Sequence, residues 1–269
     1  MTRDAYQIAR GAAATYEQQK VKAIFRPLAE ATLAAIEISD EEIVLDVACG
    51  TGIVGRVIQE RASPKAPITG IDLNDGMIET AHLVTSDNPD AFRWHSGDVS
   101  NMPFAKGVFT VAICQQGLQF FPDEVAALKE IHRVLRPGGR TVLSIWSEPP
   151  RFFIALGEAI GRHVSLSDAT RSLAPFAYAG MDTLPERLRS CGFADVQSRD
   201  ITIDRIIHDP KVNIALEILG NPVGPAVSAR GEQVMANIVA EVLTECSDLL
   251  HGNDLISPQT ARLVTATAH

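Results

Sequence analysis

Three carboxylates and one glycine-rich turn stand at spacings suited to chemistry in this chain. Asp46 lies in Val44-Leu45-Asp46-Val47-Ala48-Cys49-Gly50-Thr51-Gly52, an apolar run that passes into glycines and then into a helical period. Glycines at such a turn let the backbone bend sharply and let a ligand approach without meeting a Cβ. The N–H groups that open the following helix face the ligand's negative end, where the helix dipole contributes about 0.3–1 kcal/mol. Asp72 closes the next apolar run, twenty residues beyond Gly52, and Asp98 follows the third in His95-Ser96-Gly97-Asp98-Val99. A carboxylate at the tip of a second strand can accept two ribose hydroxyls, so Asp72 points to a nucleoside without saying which. Gly50, Gly52 and Gly55 also satisfy G-x-G-x-x-G, which with Asp72 fits an NAD-dependent oxidoreductase as well.

These residues need elements to hold them. From Glu42 onward, short apolar runs alternate with helical periods, the pattern of a parallel sheet covered by helices. The expected strands are Ile43–Ala48, Ile68–Leu73, Phe92–Ser96, Val108–Cys114 and Arg140–Trp146. The expected helices are Val54–Ala62, Gly76–Thr85 and Asp123–Leu135, the last stopped by Arg136, Pro137, Gly138 and Gly139. Ahead of the sheet, Ala5–Ile36 reads as one or two covering helices. Behind it, Arg151–Ala179 departs from the alternation, is rich in Phe152, Phe153, Phe176 and Tyr178, and reads as a lid. A helix over Asp182–Ser190 with Asp182 as its cap, a long strand over Asp195–Ile207, a helical stretch over Asp209–Leu250 and a strand over Ala261–Ala266 complete the chain. The expectation is a single Rossmann-like α/β domain with a seven-stranded, mostly parallel sheet, its last strand antiparallel, and helical lid insertions. Residues 1–41 would cover the sheet, 42–147 would bind the cofactor, 151–180 and 209–252 would be the insertions, and 181–208 with 253–269 would finish the core.

Composition excludes several classes. Hydrophobic residues form 46% and charged residues 21% of the 269, as in ordinary globular chains, so disorder and fibrous repeats are not expected. The net charge of −9, with no basic block, argues against a nucleic-acid partner. The four cysteines have no C-x-x-C pair and read as neither a zinc site nor a disulfide framework, which suits a reducing cytoplasm. No basic leader with an apolar run precedes Ala14 and no eighteen-residue apolar stretch occurs, so neither export nor membrane insertion is expected. A homodimer is compatible with the sequence.

With these residues in view, the chain resembles the class I S-adenosylmethionine-dependent methyltransferases, especially the ubiquinone and menaquinone biosynthesis group, over about Leu45–Trp146. The resemblance implies that Asp46 lies near the methionine amino group and that Asp72 holds the ribose, with Leu73 and Met77 flanking the adenine. It further implies that Asp98 accepts from the adenine amino group beside Gly97 and Val99, and that Gln115 touches the methionine moiety. Ala48, Gly50, Thr51 and Gly52 form the turn under the cofactor, and Tyr16 would close over it. Cys49 occupies a variable site. "CQQGLQFFPD" and "RVLRPGGR" fill the family's two later positions.

The implied chemistry is methyl transfer to a small, mostly apolar or aromatic metabolite, with no metal, on an oxygen, nitrogen or carbon left open. Aligning the reactants can account for roughly 7–11 kcal/mol of barrier. An acceptor that must lose a proton would need a base, and histidine titrates near neutrality. His163 in the lid and His208 at the end of the long strand are the candidates, with Tyr16, Gln116 and Tyr178 behind them. "CQQG" lacks the Asn-Pro-Pro-Tyr of amino-methylating nucleic-acid enzymes and the carboxylates of magnesium-dependent ones. The insertions would choose the acceptor. A non-catalytic binding protein on the same fold is the second alternative.

Overall fold

The computed structural model describes residues 10–269. The N-terminal cover comprises α1 (Arg10–Tyr16), a π-helical turn (Glu17–Phe25) and α2 (Arg26–Ala34). The expected start at Ala5 lies outside the described residues. Pro27 has no N–H and its ring crowds the carbonyl four residues back, and the helix upstream of it runs in the wider π register.

The sheet then unfolds in the expected alternation: β1 (Val44–Val47), α3 (Ile53–Ala62), β2 (Ile68–Asp72), α4 (Asp75–Val84), β3 (Phe92–Ser96), β4 (Phe109–Gln115), α5 (Glu124–Val134) and β5 (Leu135–Trp146). The five strands run parallel, in the order β3-β2-β1-β4-β5. The chain reverses its direction of travel across the sheet between β1 and β4. In such sheets ligands bind beyond the strands' carboxyl ends at this switch point. Asn74 caps α4 by accepting from the Met77 N–H at 3.1 Å, and Asp123 caps α5 by accepting from the Ala126 N–H at 2.9 Å. On α5, Ala127, Leu128, Ile131 and Val134 recur at helical spacing and are buried. β5 begins at Leu135, five residues before the expected Arg140, because Leu135 already pairs with Phe109. Pro137, Gly138 and Gly139 fall within a ladder irregularity instead of forming a separate loop.

Next come α6 (Arg151–His163), α7 (Leu166–Ser172), α8 (Leu184–Ser190), β6 (Phe193–His208), α9 (Pro210–Leu219), α10 (Gly224–Ser228), α11 (Glu232–Glu245), β7 (Leu250–His251) and β8 (Asp254–Ala268). Asp182 does not cap α8: the cap position is Thr183, whose side chain makes no capping hydrogen bond, and Pro185 in the first turn sets its start. β8 lies between β5 and β6 and runs antiparallel to β6, as Asp200–Arg262, Thr202–Thr260 and His208–Asp254 contacts step in opposite directions along the two strands. The sheet has eight strands where seven are expected. The extra one is the two-residue β7, which pairs antiparallel with β8 through a hairpin containing Gly252 at φ +63°.

Packing divides the chain into two compact units. The first comprises Met1–Ile145, Ala179–Ile201 and Ala261–His269; the second comprises Trp146–Tyr178 and Thr202–Thr260. The first unit's core joins Val57 and Ile58 of α3 and Ile78 of α4 to Ile68, Trp94, Ile113 and Val142 of the strands. The second packs α6 against α7 and α11, with Phe152, Leu156 and Ile160 buried. Among the described residues no helix is long and apolar enough to cross a membrane.

Candidate active site

The turn after β1 is tightly wound. Ala48, Gly50 and Gly52 take left-handed backbone angles, with φ of +54°, +55° and +81°. At Gly50 a Cβ would meet nothing within 4 Å, so this residue keeps an open approach to its backbone. Gly52 serves a different need, because its Cβ would lie 2.6 Å from the Trp94 ring. Trp94 also presses on Gly55 and Gly70, at 3.1 and 2.3 Å from their Cβ positions. Three glycines thus make room for one indole beneath the turn, a role that the G-x-G-x-x-G spacing does not reveal.

Asp72 braces the turn from the tip of β2. Its Oδ2 accepts from the Gly50 N–H at 2.8 Å and its Oδ1 from the Asn74 N–H at 2.9 Å. A carboxylate has about four acceptor sites, so two remain for other donors. Burial pushes its pKa up, opposed by these two N–H groups.

Asp46 is 1% exposed, and its Oδ2 accepts from the Gly55 N–H at 3.1 Å. Burial pushes its pKa up to about 7; the Gly55 N–H opposes this, the Asp72 charge adds to it and Arg56 opposes it. Such a carboxylate calls for a cation. Gln115 at the tip of β4 donates its Nε2 to the Phe25 carbonyl at 3.0 Å, which fixes the amide's orientation. Its Oε1 is buried with no partner among the described residues.

The cover is tied to the turn by Glu17, a residue that the sequence reading missed. Glu17 accepts from the Thr51 hydroxyl at 2.5 Å and from Arg56 Nη2 at 2.7 and 2.9 Å. The partners lie 34 and 39 residues away, so no local spacing signals them. Next to Glu17, Tyr16 stacks on Phe25 with ring centroids 5.3 Å apart. Burial, followed by the charges of Asp72 and Glu17, drives its phenol pKa upward, which keeps the hydroxyl protonated.

Beyond Asp72, the Gly97 N–H donates to the Asp72 carbonyl at 2.9 Å. Met77 and Val99 are buried and Leu73 is half-buried. Asp98 is exposed and caps the single turn Val99–Asn101, accepting from the Ser100 N–H and hydroxyl at 2.8 Å each. Asp46, Asp72, Gly50, Thr51, Tyr16 and Gln115 are therefore linked through the turn and the cover. Asp98 and Val99 stand at the next strand tip, where the hydrogen bonds of the Asp98 side chain among the described residues are local.

The two histidines belong to the second unit. His163 Nε2 pairs with Glu241 at 2.5 Å, joining α6 to α11, and Arg162 holds the same carboxylate at 2.9 Å. His208 Nδ1 pairs with Asp254 at 2.8 Å, and its side chain is 75% exposed. Gln116 has φ +59° and accepts from Gln119 at 2.9 Å, while Tyr178 is half-buried. Among the described residues no group of three or more His, Cys, Asp or Glu could hold a metal, and the four cysteines are free and buried.

Comparison with known proteins agrees with this geometry. Residues 44–139 match the methyltransferase-domain family profile. A demethylmenaquinone methyltransferase of Staphylococcus epidermidis is 33% identical over 117 residues, 44% of this chain and 48% of that protein. One from Staphylococcus aureus is 29% identical over 175 residues, 59% of this chain and 70% of that protein. The chain thus spans about half the length of the first of these curated relatives. In fold it is similar to the Haemonchus contortus phosphoethanolamine N-methyltransferase 2 solved with S-adenosyl-L-methionine. That likeness has a TM-score of 0.63 at 15% identity, over 98% of this chain and 58% of that one. The matched residues run from β1 into the start of β5 and so contain the glycine turn, Asp46 and Asp72, which makes this part of the chain similar to methyltransferase domains.

Proposed function

We propose that the protein transfers a methyl group from S-adenosylmethionine to a small, mostly apolar or aromatic metabolite. The observation that carries this reading is the presence of two buried acceptors on the neighbouring strands β1 and β4: Asp46, whose pKa burial raises, and Oε1 of Gln115, which has no partner among the described residues. An ammonium group supplies a donor for Gln115 Oε1 and a positive charge that favours the ionised form of Asp46. The residues present fit the cofactor. Asp46 and Gln115 would hold its amino-acid end, the free sites of Asp72 its ribose, and Leu73, Met77, Asp98 and Val99 its base. Gly50 would leave its backbone open to approach, and Tyr16 with Glu17 would close the cover.

When bound, the cofactor supplies a methyl group already activated by its sulfonium. The chain's own task is to hold and orient the reactants and to keep water out. For an acceptor that must lose a proton, His163 is favoured over His208 as the base. Glu241 fixes its ring and it is 23% exposed, whereas His208 stands largely in solvent. The residues of the second unit that the sequence marks as aromatic would select the acceptor.

Incubation with methyl-labelled S-adenosylmethionine and a metabolite extract of the host tests the reading. Label should pass to a small organic molecule, and Asp72→Ala should abolish the transfer. Cofactor binding with no labelled product from any fraction would contradict it.

A further inference from the structure

The second unit carries a row of buried polar side chains, some of whose atoms its fold leaves without a partner among the described residues. On β6, Ile203, Arg205 and Ile207 are buried, and on β8, Leu255, Ser257 and Gln259 are buried. The contacts Thr202–Thr260 and His208–Asp254 set the antiparallel register, which places Arg205 opposite Ser257 and next to Gln259. Directly opposite residues on one face lie close enough to act together.

Stereochemistry then decides what the row can bind. Arg205 Nε donates to Gln259 Oε1 at 3.0 Å, and its Nη1 pairs with Glu217 at 3.1 Å. A guanidinium can only donate, so the Gln259 amide must present its oxygen to Arg205. Its Nε2 therefore faces away, and it is buried without an acceptor. The Ser257 hydroxyl is also buried without a partner, as is that of Ser147, whose N–H donates to the Thr260 carbonyl at 3.0 Å beside Gln259. These three atoms are the second unit's unpartnered buried side-chain polar atoms among the described residues, and all belong to β8 or to the segment beside it. Buried donors without acceptors are uncommon in native interiors, and such a cluster points to a missing acceptor. Arg205 lies over the Phe153 ring, 5.1 Å from its centroid, and Phe153 packs on Phe176 at 4.9 Å. The neighbourhood is aromatic and its charge is balanced by Glu217, so it suits a neutral oxygen on a flat ring system better than a free anion.

We infer that Gln259 and Ser257, with Arg205 holding the amide in place, form a specificity site for the carbonyl or enol oxygen of a conjugated small molecule. Gln259 and Ser257 are the ligand-touching residues, and Arg205 is a positioning residue. Phe153 of α6 and Glu217 of α9 hold the Arg205 guanidinium in place. The inference rests on the proposed methyltransferase reading, in which the second unit selects the acceptor.

Calorimetry with 2-acetylnaphthalene and its oxygen-free isostere 2-isopropenylnaphthalene tests it, with S-adenosylhomocysteine titrated into the same samples. The wild type should bind the ketone at least tenfold more tightly than the alkene. Gln259→Glu, which keeps the acceptor for Arg205 and loses the donor, should erase that preference and leave S-adenosylhomocysteine affinity unchanged. Ser257→Ala should reduce it about fivefold with a melting temperature equal to or above that of the wild type, because it removes an unpartnered hydroxyl; a purely structural serine would lower the melting temperature. Normal S-adenosylhomocysteine binding without a ketone preference, whether both probes bind or neither does, overturns the site and leaves the methyltransferase reading standing. Loss of S-adenosylhomocysteine binding in the wild type overturns that reading, and the site's assigned role with it.

Discussion

Asp46 carries a strong electrostatic demand beside the glycine turn. Its carboxyl is held at about 7 in the fold, above the model-peptide 3.8, so burial disfavours the ionised form. The sign follows from linkage: the folded state binds the proton more tightly than the unfolded chain does. Stability of the ligand-free protein therefore falls as pH rises from about 4 to 7, and the loss is complete above that. Asp46→Asn should melt higher than the wild type at pH 8, with the difference vanishing near pH 4. A cationic ligand reverses the preference and favours the carboxylate. Binding of S-adenosylhomocysteine, which keeps the ammonium, should accordingly tighten between pH 6 and 8 and release a proton, read by calorimetry in buffers of different ionisation enthalpy. The asparagine variant should show weaker and flatter binding. Asp46 stands out in the sequence as an acid inside an apolar run that leads into glycines, and Asp72 as an acid that ends such a run. Glu17 was not, since its partners Thr51 and Arg56 come to it only through the tertiary fold. Asp98 stands at the expected strand tip, but its observed bonds are those of a local cap.

At the scale of elements, the joint between β2, β3 and the glycine turn depends on Trp94. A Cβ at Gly70 would lie 2.3 Å from its ring, closer than side chains pack. Overfilling a packed core costs about 1–3 kcal/mol. Gly70→Ala should lose roughly that much stability in chemical denaturation, and the same substitution in a Trp94→Leu background should lose much less. Equal losses in both backgrounds would show that the indole is not the obstacle. The apolar alternation made β1 to β5 readable to within a few residues, and the misses have physical causes. β5 starts early because the Pro-Gly-Gly segment is absorbed into the ladder. β8 starts at Asp254, seven residues before the expected Ala261, because its inward positions there are Ser257 and Gln259, polar residues that break an apolar reading.

At the scale of the molecule, the residues proposed to hold the cofactor fall in the first unit, and Trp146–Tyr178 with Thr202–Thr260 form the second. The sequence marked 151–180 and 209–252 as departures from the alternation, but it could not show that the ends of β6 and β8 pack with them. Strands of 16 and 15 residues are long enough to serve both units. Amide exchange with and without S-adenosylhomocysteine should localise its footprint to Tyr16–Phe25, Val44–Arg56 and the segment after β2. Protection confined to the second unit would place the ligand elsewhere. At a ligand concentration a hundredfold above Kd, binding should add about 2.7 kcal/mol of stability, visible as a rise in Tm.

The most direct test is calorimetric titration of the wild type and Asp72→Ala with S-adenosylhomocysteine, and of the wild type with NADH. One S-adenosylhomocysteine should bind per chain, NADH should not bind, and Asp72→Ala should weaken binding at least tenfold, or about 1.4 kcal/mol. Tight NADH binding without S-adenosylhomocysteine binding, or an Asp72→Ala variant that binds as the wild type does, would contradict a nucleoside sulfonium site built on the carboxylates of β1 and β2.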